Sequence, residues 1–162
     1  MSTVSAGQVA PLFELPGIDG KSYSLEEALQ RGPLLVVFFK VSCPTCQYAL
    51  PFLDRLHRQL PGAQVWGISQ DDAVKSRLFA DEFGVTFPIL IDEEPWEVSD
   101  AYRLTHVPTH LLIAPDGGVQ SSGDGFVKKD LLALQALLAD RFSTKLPPLF
   151  APSEKVPEFK PG

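Results

Sequence analysis

Leu34-Leu35-Val36-Val37-Phe38-Phe39-Lys40-Val41-Ser42-Cys43-Pro44-Thr45-Cys46 is the stretch that decides how this chain folds. Its first six residues are apolar without interruption, the pattern of a central parallel strand buried on both faces. The two cysteines that follow are the only two in the chain. Beyond them Cys46, Leu50, Leu53, Leu56 and Leu60 recur at helical spacing, so the pair opens a helix. Ser42 is the expected N-cap, and Pro44 suits the first turn with its fixed φ and missing N–H. Residues three apart on a helix lie about 5–6 Å from one another, a separation a disulfide can bridge, so such a ring closes and opens without moving the fold. A helix N-terminus also offers unpaired N–H groups and the positive end of the helix dipole, which favour a thiolate. Cys43 is therefore expected to be the nucleophile. Cys46, one turn further in, is the expected resolving thiol that expels a mixed disulfide.

Two other uses of the pair compete. A structural disulfide closing so small a loop would constrain the unfolded chain little. Cys43-x-x-Cys46 with His106-x-x-x-His110 has the ligand types of a Cys2His2 zinc site, but the halves lie far apart where a finger separates them by about 12–15 residues. The expectation is a redox dithiol, with no metal and no cofactor beyond the Cys43–Cys46 disulfide itself.

The rest of the composition agrees. A chain of 162 residues with 44% hydrophobic and 21% charged content is expected to form one domain with a full core. A formal net charge of −6 and a pI near 5.0 argue against nucleic acid or anionic membrane as partners, because phosphate binding needs clustered Lys and Arg. The N-terminus Met1-Ser-Thr-Val-Ser-Ala-Gly-Gln8 lacks a charged n-region and an apolar h-region, and no segment has the about 18 apolar residues of a membrane span. A cytoplasmic location is expected, and in a reducing compartment a C-x-x-C pair is more often catalytic than structural.

Strands alternate with helical patterns, the rhythm of an α/β domain. Short strands are predicted at Leu12–Leu15 and Lys21–Ser24 around the turn Gly17-Ile-Asp-Gly20, then a helix over Leu25–Gln30 capped by Ser24. A strand follows at Leu34–Lys40, the Cys43 helix to Leu60, a strand at Gln64–Ser69 and a helix from Ala73 to Phe83. Next are a strand at Pro88–Ile91, helical turns at Trp96–Tyr102, a strand at His110–Ala114, the turn Pro115–Gly118, a strand at Val119–Gly123 and a helix from Lys128 to Arg141. Ser69-Gln70-Asp71-Asp72 reads as the cap of the Ala73 helix, and His57, between Arg55 and Arg58, as solvent-facing. Residues 143–162 are rich in proline (Pro147, Pro148, Pro152, Pro157, Pro161) and are expected to be extended, loose or packed through Leu149, Phe150 and Phe159.

Several motifs together carry a resemblance. They are Ala10-Pro-Leu-Phe-Glu-Leu15 with Asp19-Gly-Lys21, Cys43-Pro-Thr-Cys-Gln-Tyr-Ala-Leu-Pro51, Phe87-Pro-Ile-Leu-Ile-Asp92, and Tyr102-Arg-Leu-Thr-His-Val-Pro-Thr109 followed by an apolar strand and Asp116-Gly117. In this the chain resembles the thioredoxin superfamily, and within it the TlpA/ResA-type thiol-disulfide oxidoreductases and the related redoxin (AhpC/TSA-like) domains. The resemblance covers about residues 6–141. It implies a thioredoxin-like α/β fold over residues 1–142, a central mixed sheet flanked by helices with an N-terminal β extension, and leaves the tail outside. It also implies a cis peptide before Pro108 facing the cysteines, with Pro44, Thr45, Val107 and Pro108 meeting an extended substrate segment. Pro51 resembles the helix-kinking proline of these relatives.

Three positions depart from that pattern. Ser42 stands where relatives usually carry Trp, Val37 where thioredoxins place an acid, and Ala49 where TlpA/ResA-type helices often have Glu. Both usual proton acceptors for the resolving thiol are thus absent. Lys40, through its charge, and His106, beside Pro108, are the candidates for a proton or charge role.

Three functions follow. The first is thiol-disulfide exchange with protein or small-molecule disulfides and a dithiol electron donor. The second is a peroxiredoxin-like thiol peroxidase, against which the peroxidatic Pro-x-x-x-Thr-x-x-Cys pattern is missing: counted back from Cys46, Phe39 falls where proline is required. The third is a redox-sensing module that binds a partner through its proline-rich tail.

Overall fold

The computed structural model describes residues 2–162. Its centre is β3 (Leu34–Phe39), whose six side chains are all buried. At about 1.5–3 kcal/mol for each large apolar side chain removed from water, this strand is the strongest local organiser of the core. It pairs in parallel with β4 (Gln64–Ser69) through α2 (Pro44–Gln59), and β4 pairs in parallel with β5 (Ile89–Ile91) through α3 (Ala73–Phe83). On the other side of β3 lie β6 (Thr109–Ile113) and β7 (Val119–Asp124), both antiparallel, giving the order β5-β4-β3-β6-β7. The sheet is mixed, as expected.

The alternation of β3 divides the core. Leu35, Val37 and Phe39 face α2, α3 and α5 (Lys128–Arg141), packing on Cys46, Leu50, Leu53, Phe79 and Leu134. Leu34, Val36 and Phe38 face α1 (Leu25–Arg31), α4 (Glu97–Ala101) and the N-terminal segment, packing on Leu25, Ala28, Phe13, Val98 and Tyr102. The N-terminal extension forms a two-stranded hairpin of β1 (Glu14–Pro16) and β2 (Ser22–Ser24). Asp72 alone caps α3, its carboxylate accepting from the Lys75 N–H at 2.8 Å, and Gly84 closes that helix in the left-handed region at φ 69°. Pro51 lies inside α2, which runs on through it to Gln59.

The sequence underdescribed the tail. It contributes a 3-10 turn (Pro152–Glu154) and a last strand, β9 (Phe159–Lys160), paired antiparallel with β8 (Phe126–Val127). Leu149 is 1% exposed within the α2–α5 core, and Phe150 packs edge-on against Phe52 at 4.9 Å. Of the three residues through which the tail could pack, Phe159 is 59% exposed, and its strand is held by main-chain pairing.

Candidate active site

The N-cap of α2 is Cys43, not Ser42. Its extended backbone (φ −82°, ψ 115°) lets its own sulfur accept the Cys46 N–H at 3.1 Å, so the thiol takes the place a capping hydroxyl would fill. Ser42 is left exposed one residue earlier. Cys43 is half-buried and Cys46 has no exposed surface; both are free thiols. Burial pushes the Cys46 thiol far above its ordinary range, and its hydrogen bond with Cys43 pushes the same way.

Three bonds fix the loop ahead of the cysteines. The Cys43 N–H donates to the Lys40 carbonyl at 3.2 Å, Gln47 Nε2 to the Val41 carbonyl at 2.9 Å, and the Val41 N–H to Asp71 Oδ2 at 2.9 Å. Asp71 thus holds the strand-to-helix loop instead of capping α3. Nothing in its local sequence signals this, because the two segments meet only once β3 and β4 are paired.

The Val107–Pro108 peptide is cis, and the Cys43 thiol lies 3.5 Å from the Val107 carbonyl, positioned to donate to it. Thr109 Oγ1 donates back to the His106 carbonyl at 2.8 Å, and the Gly125 N–H to the Pro108 carbonyl at 2.9 Å, anchoring the loop from both sides. Pro44 is exposed at the first helical position, and Thr45 is half-buried with its hydroxyl donating to the Pro161 carbonyl. A second cis peptide, Glu94–Pro95, lies before α4 and was not foreseen.

Lys40 and His106 are both exposed and line one cavity of about 250 Å³ with Gln70, Leu104, Thr105 and Val107. Neither side chain is bonded to a thiol among the described residues. His106 Nδ1 is 2.9 Å from Thr105 Oγ1 and 3.9 Å from Asp124 Oδ2. His57 is not solvent-facing as read: it is half-buried, edge-on to Phe87 at 6.1 Å, with Nδ1 buried and unpartnered.

The ionisable group whose place the sequence does not signal is His110. In the sequence this residue stands out only as half of a zinc pair, and among the described residues no group of three His, Cys, Asp or Glu side chains could hold a metal. His110 is buried on β6 directly opposite Val37, the place where thioredoxins carry an acid, and its Nε2 has no partner. Burial pushes its pKa down to about 4, against a weaker upward pull from Asp130 and Asp124, so the ring is neutral at neutral pH. Only the strand register reveals the placement.

A half-exposed thiol capping a helix, a buried partner one turn on and a cis-proline loop against them belong to a dithiol protein of the thioredoxin fold. The AhpC/TSA family pattern matches residues 6–122, and the chain is a member of that family. The thiol-disulfide oxidoreductase ResA of Geobacillus thermodenitrificans is 29% identical over 132 residues, 80% of this chain and 75% of that one. A Mycobacterium tuberculosis protein provisionally named a peroxiredoxin is 38% identical over 95 residues, 56% of this chain and 59% of that one. Among solved structures, the thioredoxin domain of a thiol-disulfide oxidoreductase from Bacteroides vulgatus superposes with a TM-score of 0.74 at 20% identity, covering 84% of this chain and 99% of that domain.

Proposed function

We propose that this protein is a thiol-disulfide oxidoreductase whose working group is the Cys43/Cys46 pair, with no other cofactor required. The Cys43 thiolate attacks a substrate disulfide, releasing one thiolate and forming a mixed disulfide. Cys46 then loses its proton and attacks the Cys43 sulfur, releasing the second thiolate and leaving Cys43–Cys46 oxidised by two electrons. The carrying observation is the contrast between the two thiols: Cys43 is partly accessible at the helix N-terminus, whereas Cys46 is wholly buried and held protonated. Of the causes that hold the Cys46 proton, burial first, those that come from Cys43 change when Cys43 becomes part of a mixed disulfide, which eases resolution at the moment it is needed. Lys40 supplies charge at the mouth of the site, His106 stands beside it next to Val107, and a dithiol donor returns the pair to the reduced state.

The peroxidase reading is favoured by the 38% identity to the mycobacterial protein. Rates for the fully reduced protein with a small disulfide and with hydrogen peroxide, followed by stopped flow, separate the two. The expected result is rapid oxidation by the disulfide, abolished in Cys43→Ser, and a peroxide rate like that of an ordinary thiol. Fast peroxide oxidation with slow disulfide exchange would overturn the proposal.

A further inference from the structure

The strand position beside Cys43 is already occupied by the chain itself. Antiparallel pairing sets Lys160 opposite Phe126 and Phe159 opposite Val127, and the Lys128 N–H donates to the Glu158 carbonyl at 3.0 Å. From there the backbone crosses the face of the site. The Thr45 hydroxyl donates to the Pro161 carbonyl, and Lys160 Nζ lies 4.9 Å from the centre of the Tyr48 ring. Gly162 sits so close to the loop that a Cβ added there would stand 2.7 Å from the Val107 carbonyl, the group the Cys43 thiol faces. Residues 159–162 therefore lie between Thr45 and Val107, the positions an extended polypeptide substrate would use.

The tail is also anchored upstream. Leu149 is buried, Phe150 joins the rings of Phe52 and Phe126, and Arg55 grips Glu154 through two bonds of 2.6 and 2.8 Å while donating to the Leu149 carbonyl. Val107 also lines the cavity formed with Lys40, Gln70, Leu104, Thr105 and His106, to which residues 159–162 contribute no lining. At about 250 Å³ it has room for one arm of a small disulfide and not for a folded polypeptide.

We infer that residues 159–162 set the substrate class: the site takes low-molecular-weight disulfides and excludes polypeptide disulfides. The inference rests on the disulfide-exchange reading above. The reaction is the same for either class: one substrate S–S bond is reduced to two thiols as Cys43 and Cys46 are oxidised to a disulfide.

The test uses the reduced full chain, a chain lacking residues 159–162, and Lys160→Pro. Lys160 pairs with Phe126 and rests its Nζ over the Tyr48 ring, so a proline there, with no N–H to donate and no side-chain cation, loosens the strand without removing it. Each protein is given oxidised glutathione and, separately, insulin. The expected result is an unchanged glutathione rate and an insulin rate raised about tenfold or more in both variants, equivalent to release of about 1.4 kcal/mol of competing tail contact. Should the shortened chain fail to fold, Lys160→Pro carries the comparison. Equal insulin rates in intact and altered chains would overturn the inference while leaving disulfide exchange standing. No reaction of any of the three with either disulfide would overturn both.

Discussion

At the scale of single residues, burial sorts the ionisable groups into working and silent ones. Cys46 and His110 are both desolvated, and burial acts on each in the direction that favours its neutral form. For His110 the consequence is measurable. Its pKa lies near 6.5 in the unfolded chain and about 4 in the fold, so between those values the unfolded state binds more protons. Its contribution is fully present above pH 6.5 and is lost as pH falls toward 4, a total of about 3 kcal/mol. Urea unfolding at steps between pH 7 and 4 is expected to show this decline, and to show a shallower one in His110→Leu. An identical slope in the two proteins would contradict the placement. The two cysteines were legible from spacing alone, since the chemistry needs only a helix start. The Cys43 cap was not, because a sulfur stands in for the hydroxyl that capping rules look for. His110 was hidden for a different reason: the strand residue opposite it, Val37, comes from β3, which is distant in sequence.

At the scale of elements, the strands and helices that bury a full apolar face were readable to within a residue or two. Gln64–Ser69, Ala73–Phe83 and Lys128–Arg141 match the sequence reading, and β3 stops at Phe39, just short of the expected Lys40. Their patterns are internal to each segment, and packing only confirms them. What the sequence could not supply is how one element holds another. Asp71, at the end of β4, fixes the loop between β3 and α2 through the Val41 N–H. Asp71→Ala is expected to destabilise the fold by about 1.5 kcal/mol, the scale of a hydrogen bond to a charged group. It should also slow disulfide exchange by about tenfold, because the loop that sets Cys43 is no longer held in place. Asp71→Asn, which keeps an accepting oxygen, should recover most of the rate. Loss of stability with an unchanged rate would mean that the bond is structural only.

At the scale of the whole molecule, one sheet serves two layers and the tail joins the first of them to the site. Tyr48, Phe52, Phe126 and Phe150 form a run of edge-on and tilted rings linking α2, β8 and the tail. Arg55 beside Glu154 holds that carboxyl near pKa 2, so the fork persists through neutral and mildly acidic pH. This closure was the least legible part of the sequence. Phe159-Lys160 is too short and too closely flanked by Pro157 and Pro161 to read as a strand, and its pairing partner arises only after β7 has turned at Gly125.

The division of labour between the two thiols is the central claim, and trapping tests it most directly. Cys46→Ser, reduced and mixed with oxidised glutathione, should accumulate a stable adduct of one glutathione on Cys43, located by peptide mass mapping. Cys43→Ser under the same conditions should remain unmodified. An adduct on Cys46 in the Cys43→Ser chain, formed as fast as the Cys43 adduct, would contradict the account.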